Sequence, residues 1–260
     1  MTKMEKTKIN ELILDELNPI IQISNIFNIN FNRTIRLLKN SVPVEKFIEG
    51  DKGYVKTVYD IIRATIVFLH TSLETTLREI LRLRLKFNGD ISSIPLASKS
   101  GLINRKEKFS LSELAQYRGK NINEVIDDSI DQYLNTVSFN SSSEIANYLV
   151  KIEIPQNTLE KYYPLLNEMI ERRHKIVHEG DIKRGGFPSE LNDVDMDRVV
   201  KWFDATSEFC GELIRVAGIA IYLGRIMDRL EQEGIKANKQ DVANSIKVKI
   251  ENKNASNQNT

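Results

Sequence analysis

One seam constrains the fold of this chain more than any other feature. Val58, Ile62, Ile66, Leu69, Leu73, Leu77 and Ile80 recur at spacings of 4, 4, 3, 4, 4 and 3. Such spacing keeps apolar side chains on one stripe of an α-helix, whereas a strand needs a period of two. Segment 52–88 is therefore a long helix with one face to bury, and Gly89 is a natural stop. Glu74 and Arg78 form a favourable pair one turn apart beside the seam.

A second long helix is expected at about 194–233, carrying Val199, Trp202, Phe203, Phe209, Leu213, Val216, Ile219, Leu223 and Ile226 before Gly234. Between the two, Leu159, Tyr162, Leu166, Ile170, Arg173 and Val177 mark another helix. Asn157 should cap it, Pro164 should kink or restart it, and Gly180 should end it. Only 12 glycines and 6 prolines interrupt the 260 residues, which favours helices over many short strands. The fold class expected is all-α: a helical bundle with two long core helices and a helical insertion between them.

The expected organisation has three parts. Residues 1–50 form an N-terminal helical segment, interrupted near Asn18-Pro19. Residues 51–235 form the main helical domain, with 90–157 as its insertion. The insertion holds a capping box at Ser110 and Glu113, stapled by Phe109 and Leu114, in a helix ending at Gly119. Shorter helices are expected at about 123–135 and 142–151, the latter capped by Ser141 with Glu144 three residues on. Residues 181–193, with Gly185, Gly186 and Pro188, read as a loop, and 236–260 as a polar mobile tail.

Charge and cysteine content narrow the function. The net charge is +1, from 37 basic and 36 acidic residues, so any contact with nucleic acid must be local. Arg105, Lys106 and Lys108, diluted by Glu107, read as a solvated loop. Cys210 is the only cysteine, which excludes an internal disulfide and a cysteine-rich zinc site. The charged N-terminus has no signal-peptide core, and the longest apolar stretch, Val216 to Leu223, is too short for a membrane span. A cytoplasmic location without membrane association is the expectation.

The chemistry concentrates in Arg173-His174-Lys175-Ile176-Val177-His178. Arg173 falls in register with Leu166, Ile170 and Val177, where a guanidinium is costly unless it meets an acceptor. His174 and His178 lie one turn apart beside that seam, near a helix end whose negative dipole favours protonated imidazole. These groups suit RNA cleavage by the ribose 2′-OH. Imidazole can take and return protons near neutral pH, and guanidinium can stabilise charge on the phosphoryl oxygens. One chain offers few such groups, so two copies facing across a symmetric interface would make a fuller site.

Together with Glu179-Gly180-Asp181, this segment resembles the R-x4-6-H signature of HEPN domains, late in a core helix. The layout is similar to the group named for ribonuclease L and an archaeal stress protein, over roughly 52–88 and 158–233. The resemblance implies a four- to five-helix bundle that dimerises with its motifs facing. It also implies a metal-independent endoribonuclease leaving 2′,3′-cyclic phosphate ends, in a toxin or antiphage role, with an antitoxin or defence protein as a further partner. No cofactor is implied. Arg173, His178 and His174 are the catalytic candidates. Glu74, in HTSLETTLRE, and Glu179 are supporting candidates. Arg78, Arg82 and Arg172 are candidates for the RNA backbone, and Arg84 and Lys86 extend that basic stretch.

Three points stay open. Both Arg172 and Arg173 fit the spacing, but Arg173 shares its sector with Ile170 and His174, and Arg172 shares a charged one with Glu171, Lys175 and Glu179. A metal-dependent hydrolase could use Glu171, His174 and His178, although HExxH is absent. The third reading is a non-catalytic module that binds RNA or protein. His70, four residues before Glu74, reads as structural; neither a phosphate-binding glycine loop nor a Ser-His-Asp order is present.

Overall fold

The seam of the second helix is buried along its whole length, with all seven of its apolar residues at 1% exposure or less. The computed structural model describes residues 3–47, 52–87, 91–92, 94, 96–98, 101–102, 111–183 and 190–256. Its helices are α1 (Lys3–Phe47), α2 (Lys52–Phe87), α3 (Leu111–Ala115), α4 (Ile122–Thr136), α5 (Ser142–Lys151), α6 (Tyr163–Glu179), α7 (Met196–Gln232) and α8 (Lys239–Ser256). A two-residue antiparallel pair joins Ala97–Ser98 to Gly101–Leu102. The fold is all-α.

α2 is the centre of the bundle, packing against α1, α4, α5, α6 and α7. The middle section is more than an appendage. Ile130 and Leu134 of α4 and Ile145 and Leu149 of α5 are buried in the same core as the α2 seam. Its helices start where local chemistry dictates. Asn121 caps α4 in a reciprocal box, with Glu124 N–H donating to Asn121 Oδ1 at 2.9 Å and Asn121 N–H to Glu124 Oε2 at 3.0 Å. Ser141 Oγ accepts the Glu144 N–H at 3.1 Å to start α5. The Ser110 box, its Phe109 staple, the Glu113 side chain, the Arg105–Lys108 cluster, Gly89, Gly185, Gly186 and Pro188 lie outside the described residues.

Three expectations are corrected. First, α1 runs unbroken through Asn18-Pro19. Leu17 and Ile20, both fully buried, hold the helix on either side of the missing proline N–H. Second, Asn157 caps no helix. A short 3-10 turn, Glu160–Tyr162, comes first, and α6 starts at Tyr163 with Pro164 in its first turn. Third, the tail from 236 is not simply polar and mobile. Residues 239–256 form α8, and Val242, Ile246 and Ile250 repeat every fourth residue on its buried face. That face docks on α1 and α7, where the Ile250 side chain comes so close to Gly218 that a Cβ there would meet it at 2.5 Å. Glu16 of α1 accepts an ion pair from Arg229 of α7 at 2.6 Å and another from Arg225 at 3.3 Å, which closes this end of the bundle.

Ile246→Ala should therefore cost about 2–5 kcal/mol of unfolding free energy, the usual cost of emptying a filled core position. A denaturant midpoint identical to wild type would show that α8 is not part of the cooperative fold.

Candidate functional site

Helix α6 ends in a left-handed turn. Gly180 has φ 61° and its N–H donates to Lys175 O, the usual way to satisfy the last carbonyls of a helix. Asp181 follows with φ 57°, a conformation that costs energy for a residue with a Cβ. What holds it there is a buried charge cluster. The Asp181 side chain is 1% exposed, and its Oδ2 accepts from Arg63 Nε at 2.6 Å and from Arg172 Nη2 at 2.7 Å. Asn192 Nδ2 donates to Asp181 Oδ1 at 3.1 Å and to its carbonyl oxygen at 2.9 Å. Both guanidiniums also reach the segment at 192–193: Arg63 Nη2 donates to Asn192 O at 2.8 Å and Arg172 Nη2 to Asp193 O at 3.1 Å. Burial lowers the Arg172 pKa, opposed by Asp181 and reinforced by Arg63.

Arg173, the next residue, has the opposite situation. Its Nε is buried and has no hydrogen-bond partner among the described residues. Its charge acts instead on His70 of α2. The seam gives out beyond it: Leu166 and Ile170 are buried, but Val177 is 46% exposed.

His174 and His178 are both exposed, with ring centroids 4.5 Å apart and planes 40° from each other. Ile182 and Leu191 form an isolated antiparallel bridge just past the helix end, and both are exposed. The last turn of α6 thus presents two imidazoles and the exposed Val177, with the exposed Ile182–Leu191 bridge following the helix end.

The remaining candidates divide by place. Glu74 Oε2 lies 3.9 Å from His70 Nδ1, and Glu74 Oε1 accepts from Arg78 Nη2 at 2.6 Å. His70, 3% exposed, donates from Nε2 to Phe139 O at 3.3 Å. Glu74 thus flanks a buried imidazole whose pKa is lowered by burial and, more weakly, by the Arg173 charge. Arg78 is occupied by the carbonyls of Leu134 and Val137 and lies 5.5 Å over the Phe139 ring. Arg82 pairs with Glu79 and, at 2.7 Å, with Asp131. Arg84 is buried, donating to Ile152 O at 3.0 Å and to Glu153 at 2.7 Å. Lys86 reaches Asp127 at 3.2 Å. This basic stretch therefore ties α2 to its neighbours α4 and α5. Glu179 is half-buried, and its carbonyl accepts from Ile182 N–H at 3.3 Å.

The three-ligand metal reading is corrected by the geometry. Among the described residues no three His, Cys, Asp or Glu side chains are grouped to hold a metal. Glu171 accepts from Asn167 at 2.6 Å and lines a cleft of about 350 Å³ with Arg172, Lys175 and Trp202, a cleft that His174 and His178 do not line.

The sequence alone did not reveal the roles of Arg63 and Asn192. Asp181 was visible as the residue after the helix stop, but Arg63 precedes it by 118 positions and no local pattern links them.

An all-α bundle built around a central long helix, with an R-x4-H cluster closing one core helix, is the architecture of a HEPN domain. The chain matches the family model described as RiboL-PSP-HEPN over residues 35–217, and it belongs to that family. No curated protein and no solved structure matches it. The family match begins inside α1 and ends inside α7, so α8, most of α1 and the end of α7 lie outside it. Among the described residues no helix is long and apolar enough to cross a membrane.

The buried His70 gives a pH test. Burial lowers its pKa from 6.5, and the nearby Arg173 charge lowers it further, against the Phe139 hydrogen bond and Glu74. The unfolded chain then binds a proton at a pH where the folded chain does not. Stability from this group is complete above about pH 6.5 and is lost as the pH falls through the lower, folded value. Thermal midpoints measured down the pH scale should fall more steeply for wild type than for His70→Gln. Equal slopes would show that His70 is not held neutral.

Proposed function

We propose that the protein is a metal-independent RNA endonuclease that acts as a HEPN-type dimer. One observation carries this reading: of two adjacent arginines, Arg172 is paired with Asp181, whereas the buried Arg173 Nε has no acceptor among the described residues at the helix end that bears both histidines. A buried donor left without a partner costs roughly 1–3 kcal/mol, a cost that an incoming acceptor would relieve. An RNA phosphate would supply the acceptor.

The chemistry follows from the groups present. One imidazole takes the proton of the ribose 2′-OH, and the 2′-oxygen forms its bond to phosphorus. The bond from phosphorus to the 5′-oxygen breaks, and a second, protonated imidazole gives that oxygen its proton. His178 and His174 fill these roles, and Arg173 stabilises the charge gathering on the phosphoryl oxygens. The products carry a 2′,3′-cyclic phosphate and a 5′-hydroxyl. Glu74 holds His70 and Arg78 beside Arg173, and so acts as a positioning residue. Symmetric pairing would bring a second copy of His174 and His178 opposite the first. The exposed Val177, Ile182 and Leu191 support such a contact, since apolar side chains gain by leaving water at an interface. A toxin or antiphage role, with a neutralising or defence partner, fits an enzyme that attacks RNA without a cofactor.

Cleavage of an end-labelled RNA should proceed at full rate in EDTA and give cyclic-phosphate ends. His178→Ala should slow it by about 10²–10⁴, the worth of one positioned acid or base. The chain should elute as a dimer in light scattering. Activity that appears only on adding a divalent ion, or full activity in His178→Ala, would overturn the mechanism.

A further inference from the structure

We propose that His174 and His178 form a chelating site for a divalent transition ion of the zinc class, and that its occupation shuts the site. The argument is geometric. With zinc–nitrogen bonds of about 2.0–2.1 Å, a bound imidazole has its ring centre roughly 3.2 Å from the ion. Two such rings at an angle of about 90–110° around the ion, the range of octahedral and tetrahedral coordination, have centres about 4.5–5.2 Å apart. The observed separation is 4.5 Å, with the rings tilted rather than stacked flat. The i,i+4 spacing sets this on a rigid helix, so little order has to be imposed by the ion.

Three surroundings favour the ion at this place. Both rings are exposed, and the negative end of the α6 dipole lies within the same turn. Imidazole is a ligand that zinc, nickel and copper accept readily. The chain offers no better soft ligand: its only other histidine, His70, is 3% exposed, and its only cysteine, Cys210, is fully buried. With only two protein nitrogens the chelate is open, and water completes the coordination. It is therefore a reversible inhibitory site and not a structural one. An ion held on both imidazoles removes the lone pairs that would take and give protons.

The inhibitory half of this proposal rests on the ribonuclease reading; the binding half does not. Untagged full-length protein, freed of metal by chelator, should bind added zinc saturably in calorimetry. In the same titration the imidazole NMR signals of His174 and His178 should move and those of His70 should not. His174→Ala and His178→Ala, checked for fold by circular dichroism, should each weaken binding by roughly tenfold or more, since each removes one of two ligands. Zinc should also stop RNA cleavage by wild type, and EDTA should restore it. Zinc binding at the pair without RNA cleavage under any condition would support the metal site and overturn the ribonuclease reading. Cleavage indifferent to zinc, with unmoved His174 and His178 signals, would overturn the metal site and leave the ribonuclease reading standing.

Discussion

The end of α6 depends on a single buried carboxylate. Asp181 accepts two guanidiniums, one from α2 and one from α6 itself, and takes two further hydrogen bonds from Asn192. A carboxylate removed from water is stable only with such complete pairing. The cluster also compensates a left-handed backbone at Asp181, next to the Gly180 stop. It ties the end of the helix to the segment at 192–193 and to α2. The orientation of His174 and His178 follows from that anchoring.

This explains why two adjacent arginines differ. At roughly 100° per residue, neighbours on a helix point to different surroundings. Arg172 turns to Asp181 and the backbone of Asn192 and Asp193. The Arg173 charge is instead felt at His70, which sits between Glu74 and the Phe139 carbonyl. One arginine completes the fold. The other has a buried Nε without a partner among the described residues. The same reasoning reassigns Arg78, Arg82 and Arg84. Their cations are matched inside the chain by carboxylates and carbonyls, so they hold α4 and α5 against α2.

Periodicity made the main helices legible. The α2 seam, the α7 stripe, the Ser141 cap and the Gly180 stop are all local patterns, and local patterns survive in a one-dimensional reading. The helix-end motif was legible for the same reason, because its residues lie within two turns. What was not legible depends on distant partners. The continuity of α1 through Pro19 rests on burial of Leu17 and Ile20, which propensity does not encode. α8 buries only three apolar residues, one every fourth position, among mostly polar ones. They make a helix only because α1 and α7 offer a surface for them. Sector content separates Arg172 from Arg173 on the helix, but the pairing that occupies Arg172, Asp181 with Arg63, joins residues 118 positions apart and leaves no local pattern.

The division of labour between the two arginines is tested most directly by a paired measurement of stability and RNA cleavage in Arg172→Ala and Arg173→Ala. Arg172→Ala should lose about 1–3 kcal/mol of unfolding free energy, because it leaves the Asp181 carboxylate short of a partner. Arg173→Ala should unfold close to wild type. Its cleavage rate should fall by about 10²–10³, the cost of removing one donor that meets developing charge. Wild-type cleavage by folded Arg173→Ala, with the loss of activity confined to Arg172→Ala held well below its unfolding midpoint, would contradict the assignment.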